Sequence, residues 1–143
     1  MKITLNRLND DFLFEGQNAA GNKILLDNTS QPDAKGVSPM ESLLMAVAGC
    51  SGIDMVNILK KQRQNITSFK AEVEGERIPE DEAKPFKSIL VHFILEGDID
   101  LQKAEKAAQL SFEKYCSVSK TLEPKVTISY EVTVNGTKLV KPI

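Results

Sequence analysis

SPMESLLMAVAGCSGIDMVNILKK, residues 38–61, carries the strongest helix signal in the chain and one of its two cysteines. Ser38 can cap free backbone N–H groups, Pro39 suits the first helical position, and Glu41 stands where a capping box needs an acid. Lys60, Lys61 and Arg63 suit a C-terminal turn. From Leu43 to Cys50 no residue carries a charge or a strongly hydrogen-bonding side chain. The pattern predicts a helix from Pro39 to about Lys61. Because its middle is apolar on nearly every face, it should be buried nearly all round. A small domain can achieve that by wrapping a sheet around the helix, by dimerising, or by both. The apolar run 43–50 is too short to span a bilayer, which needs roughly 20 apolar residues.

The rest of the chain arranges itself around this helix. Residues 2–6 and 11–27 alternate imperfectly and read as short strands, with AGN at 20–22 as a hairpin turn. Residues 27–38, DNTSQPDAKGVS, form a loop by composition. From Phe69 to Arg77 the alternation is clean: Phe69, Ala71 and Val73 face one way, Lys70, Glu72 and Glu74 the other. IPEDEAKP, 78–85, is a loop. Phe86 to Leu95 is apolar on both faces and reads as a central strand. Asp100 can cap a second helix over 101–115, with Leu101, Ala104, Ala108, Ser111, Phe112 and Tyr115 on one side. Val126 to Val134 alternates again, as a last strand with one wet face. The order predicts a single α+β domain over 1–143 with a largely antiparallel sheet.

Composition bounds the function. The 143 residues suffice for one core without staples. Eighteen Lys plus Arg against 20 Asp plus Glu give a net charge of −2. That balance offers no electrostatic reason to expect nucleic acid or a membrane surface as partner. The first residues turn acidic by Asp10 and hold no long apolar segment, so a secretory signal is not expected, and the location expected is cytoplasmic. There a structural disulfide between Cys50 and Cys116 is disfavoured. Two cysteines and one histidine at wide spacing, without CxxC, argue against a zinc site.

Each candidate residue has a plain reading and a reactive one. Cys50 is either a small hydrophobe filling a buried helix or a thiolate nucleophile, which needs access and a stabilising neighbourhood. Asp54 lies one turn on along the same face, where a bare carboxylate raises the thiol pKa. A reactive Cys50 therefore needs a cation or donor from elsewhere. For Asp54, a bond to distant backbone or arginine is the reading preferred over catalysis. If Ser117 or Val118 begins a short helical turn, Cys116 sits at its positive end and is acidified, with Lys114 and Lys120 adding to the effect. Packing is the alternative for Cys116. His92 reads as a buried, hydrogen-bonded strand histidine. Glu41 is read first as a capping residue. The acidic loop Glu80-Asp81-Glu82 reads as solvated.

SPMESLLMAVAGCSGIDMVNILKK followed by YCSVSKTL resembles the OsmC/Ohr superfamily. The shared pattern is a proline at the start of a long central helix, a cysteine within it, two strands, a further helix, and a second cysteine in a C-x-V-S-like motif. The likeness covers about residues 36–134. It implies an OsmC-like α+β fold, with an antiparallel sheet wrapped around a long buried central helix, in an intertwined homodimer. It also implies thiol-dependent, peroxiredoxin-like reduction of organic hydroperoxides under oxidative stress, without metal or other cofactor. The cysteine matching Cys50 attacks the O–O bond, the cysteine matching Cys116 resolves the sulfenic acid, and an external dithiol reduces the disulfide.

The sequence departs from the peroxidase members in its accessory residues. Their glutamate ten residues before the helix cysteine is Met40 here, with Glu41 one residue off, a rotation of roughly 100° on a helix. Their arginine from the N-terminal strands could be matched only by Arg7, and Asp54 replaces an apolar position. This points to a divergent branch. Glu41 and Asp54 stand as candidate accessory residues, and Arg7, Lys60 and Arg77 as candidate cations. Two rival readings remain. One is an OsmC-like module that binds a small apolar ligand without peroxidase activity. The other is a hotdog-fold thioesterase, whose single long helix fits the two-helix order poorly.

Overall fold

A computed structural model describes residues 1–139, in two compact units, Met1–Leu43 and Leu44–Ile143. The first unit holds a three-stranded antiparallel meander, β1 (Thr4–Arg7), β2 (Phe14–Gln17) and β3 (Lys23–Leu26). Gly21 takes a φ of +88° in the β2–β3 turn, a conformation that favours glycine. Residues 27–38 form the loop that composition predicts, and Val37 bridges back to Leu26. The unit ends in the expected capping box. The Ser38 N–H donates to Glu41 Oε1 at 2.8 Å, and the Glu41 N–H donates to Ser38 Oγ at 3.0 Å. The Ser38 N–H first, and then the Ser38 hydroxyl, hold the Glu41 carboxyl below its usual pKa.

That box starts α1, which runs from Pro39 to Lys61 as its cap and basic last turn predict. In the second unit a four-stranded sheet has the order β4-β5-β6-β7, from β4 (Asn65–Arg77), β5 (Phe86–Asp98), β6 (Thr127–Val134) and β7 (Thr137–Lys138). β5 is an interior strand, as its two apolar faces require, and buries Phe86, Ile89, Val91, Phe93 and Leu95. It pairs antiparallel with β4 but parallel with β6. This parallel pair is the exception in an otherwise antiparallel pattern. Its cause is the crossover between β5 and β6, since parallel neighbours need a long connection, usually helical.

The crossover holds α2 (Leu101–Leu110), a wider five-residue π-turn (Ser111–Tyr115) and α3 (Ser117–Leu122). Asp100 caps α2 by accepting from the Lys103 N–H at 3.1 Å. Ala104, Ala107, Ala108, Ser111 and Phe112 are buried, and Phe112 stacks on Tyr130 with ring centroids 5.2 Å apart. Tyr115, expected on the same side, is 52% exposed instead. The π-turn adds a residue to the turn, so helical spacing no longer carries position 115 to the inner face.

Val47, Ser51, Gly52, Met55 and Leu59 of α1 are buried. Gly52 lets the helix approach β4, since a Cβ there would lie 3.5 Å from the Phe69 ring. The expectation of burial all round is not met within one chain: Met45 is 56% and Ile53 73% exposed. By length and composition alone α1 could cross a membrane, with a mean hydropathy of 1.6 over its most apolar window. The run of eight residues therefore understates its apolar length.

Candidate active site

The fold brings the two cysteines together. Cys50 lies midway along α1 and is half-buried, while Cys116 is fully buried between the π-turn and α3. Both are free thiols, and they interact directly with each other. The Cys116 backbone N–H donates to the Ser111 carbonyl at 2.7 Å, five residues back. Cys116 then N-caps α3, its Sγ accepting from the Ser119 N–H at 3.4 Å. The Ser119 hydroxyl donates to the Cys116 carbonyl at 3.0 Å. These bonds fix the start of α3, so that Ser117 Oγ stands 3.8 Å from Cys50 Sγ and the Val118 N–H also points to that sulfur.

The two thiols are tuned in opposite directions. Burial pushes the Cys50 thiol up, but the Val118 N–H, the Cys116 thiol and the Ser117 hydroxyl pull it down. Asp54 opposes them by repulsion, and the net pKa lies below the ordinary thiol value. For Cys116 burial also pushes upward, and there it prevails. The hydroxyl and N–H of Ser119 pull down, Cys50 adds to the rise, and the net pKa is raised. The short helix after Cys116 is thus present as expected, but the expected acidification is not. A fully enclosed sulfur loses more from desolvation than the hydroxyl and N–H of Ser119 return. The two directions favour the thiolate form at Cys50 over that at Cys116.

Asp54 raises the Cys50 thiol as its spacing predicts. Its bond goes to neither backbone nor arginine: Asp54 Oδ2 accepts from the buried Ser111 hydroxyl at 2.8 Å. Glu41 is occupied by the capping box. Arg7 donates to the Asp11 carbonyl at 2.9 Å and to the Asp10 carbonyl, within its own loop. Arg77 donates to the Lys84 carbonyl and lies 5.8 Å over the Phe86 ring. Among the described residues, none of the groups that act on the Cys50 thiol is a cation; the stabilisers are neutral donors. Lys114 lies over the Tyr115 ring, and Lys120 pairs with Glu123 at 3.8 Å. His92 is hydrogen-bonded as expected, with Nε2 2.7 Å from Thr133 Oγ1, but half-buried rather than buried. Ser111, Ser117, Val118 and Ser119 are the site residues that sequence reasoning did not single out. The C-x-V-S spacing was visible, but what each serine faces was not.

An open apolar groove of about 710 Å³ runs along α1 and β4, lined by Gly49, Gly52, Ile53, Val56 and Phe69 among others. Lys60 also lines it; Cys50 does not.

A family model described as OsmC-like protein matches residues 32–131, from the loop before the capping box into β6. The chain belongs to the OsmC family. Protein YhfA of Escherichia coli strain K12 is 44% identical over 122 residues, which cover 83% of this chain and 89% of that protein. The crystal structure of a hypothetical protein from Aquifex aeolicus VF5 is 32% identical, with a TM-score of 0.78 over 94% of this chain and 96% of that one. The organic hydroperoxide resistance protein OhrB of Bacillus subtilis shares the fold at 19% identity, with a TM-score of 0.63 over 92% and 96% of the two chains.

Proposed function

We propose that this OsmC-family protein is a cytoplasmic, homodimeric hydroperoxide reductase that uses Cys50 and Cys116 as a redox pair. One observation carries the reading: the paired thiols have opposite tendencies, the more accessible one acidified and the enclosed one held protonated. The Cys50 thiolate attacks one oxygen of ROOH. An S–O bond forms, the O–O bond breaks, and the alkoxide leaves and takes up a proton as ROH. Cys116 then attacks the sulfur of the Cys50 sulfenic acid. The S–S bond forms, the S–O bond breaks, and the hydroxide leaves with the Cys116 proton as water. Two thiols have supplied two electrons, and an external dithiol restores them by exchange. The second thiol protects Cys50 from irreversible oxidation to the sulfinic acid. A reducing compartment suits a cycle that passes through a transient disulfide.

The exposed apolar face of α1, with Met45 and Ile53, supports a second copy of the chain as its cover. The groove favours a second reading, a module that binds a small apolar ligand there without turning over peroxide.

Mass spectrometry of reduced protein after one equivalent of an organic hydroperoxide separates the two readings. The expected product has lost two hydrogens and contains a Cys50–Cys116 bridge. Cys50→Ser should abolish reduction, and Cys116→Ser should allow at most one turnover before Cys50 over-oxidises. Sustained turnover by Cys50→Ser would sink the mechanism. Two persistent free thiols in the wild type would favour the binding module.

A further inference from the structure

Asp54 works against the chemistry of its neighbour. One helical turn beyond Cys50, its charge disfavours the thiolate. Its hydrogen bond to Ser111 accounts for its presence. Ser111 is fully buried, so its hydroxyl must find a protein partner, and Asp54 Oδ2 at 2.8 Å is that partner. Ser111 also stands where α2 gives way to the π-turn. Its N–H still bonds back to the Ala107 and Ala108 carbonyls, and its carbonyl receives the Cys116 N–H at 2.7 Å. One residue thus joins α1 through its side chain, α2 through its N–H and Cys116 through its carbonyl.

The π-turn makes this junction consequential. In a continued α-helix the Cys116 N–H would bond to Phe112; here it reaches one residue further back. The extra residue sets the direction in which Cys116 leaves the helix. An anchor on the first residue of the turn resists its collapse into ordinary α-helix.

We propose that Asp54 is a positioning residue for the thiol pair: through Ser111 it fixes the Cys116 backbone against the helix that carries Cys50, so that the second thiol closes on the first. The inference rests on the redox reading in that it gives the pair a use. Its geometry can be tested without a peroxide.

An aromatic disulfide that releases a coloured thiolate separates the two steps. Cys50 attacks the reagent, forms a mixed disulfide and releases one coloured thiolate. Cys116, giving its proton to solvent, attacks the Cys50 sulfur, forms the protein disulfide and releases the second. Ser111→Ala should slow the second release by roughly tenfold to a hundredfold, the scale of a small misplacement of reacting groups. The pH midpoint of the first release should stay in place. Asp54→Ala should slow the second release as much as Ser111→Ala does, and should also move the midpoint of the first to lower pH. Asp54→Asn, which keeps an oxygen for the Ser111 hydroxyl, should show the same midpoint shift with a smaller loss of closure. Wild-type closure rates in Ser111→Ala and Asp54→Ala would overturn the inference, as would equal slowing of both releases in Ser111→Ala. So would a wild type that never gives the second release. If the wild type closes with this reagent yet ignores hydroperoxides, the reductase reading falls and the positioning role stands.

Discussion

Cys50 and Cys116 start from the same ordinary thiol value and end on opposite sides of it, because one gains donors and the other loses solvent. The signs make a stability prediction. A depressed Cys50 contributes stability that is present above the unfolded value and is lost as pH falls through its folded value. A raised Cys116 contributes stability present below the unfolded value and lost as pH rises through its folded value. Denaturant unfolding of wild type and Cys116→Ser across this range should therefore show the wild type's relative advantage shrinking above about pH 8.5. An advantage that grows with pH would contradict the burial-driven rise. Identity alone could not assign these signs: Cys116 follows a tyrosine and precedes a serine, and nothing in that string says it is sealed from water.

At the scale of elements, local signals performed well where the backbone answers to its own neighbours. Ser38, Pro39 and Glu41 fixed the start of α1, and Asp100 the start of α2. The Asn135-Gly136 turn, with φ values of +48° and +80°, and β7 after it lie beyond the last strand that the sequence reading predicts, although Asn-Gly is a hairpin signal. The π-turn had no such signature. It arises where Ser111 is anchored across the core and Cys116 has to cap α3. Deleting Lys114, an exposed residue within it, should restore α-helical spacing, turn Cys116 away from Cys50 and abolish bridge formation. Circular dichroism should report retained secondary structure while peptide mapping finds no bridge. A bridge formed at the wild-type rate would show that the wide turn does not direct Cys116.

At the scale of the whole molecule, one apolar face of α1 calls for a cover. The face with Met45 and Ile53 remains exposed in one chain, next to a groove walled by Phe69 and Val56. If a second copy seats there, Ile53→Glu places a charge in an apolar interface and should convert a dimer to monomer in sedimentation velocity. An unchanged dimer would move the interface elsewhere, and a monomeric wild type would remove it. The loss of oligomer should be accompanied by poorer solubility, since an uncovered apolar patch favours non-specific association.

The sequence by itself determined the long capped helix, the alternating strands, their order and the family pattern that spans both cysteines. Each of these follows from neighbours within a few residues or from spacing that the chain carries in its own order. Tertiary structure alone decided that β5 and β6 run parallel, that Asp54 holds Ser111, and that Ser117 and Val118 serve Cys50. The Asp54–Ser111 and Cys50–Ser117 contacts join residues 57 and 67 positions apart, and the strand pairing likewise joins segments on either side of the helical crossover. Which donors reach a sulfur, and how much water it keeps, is set by packing between distant segments, so the same two cysteines became a polarised pair only once the chain had folded.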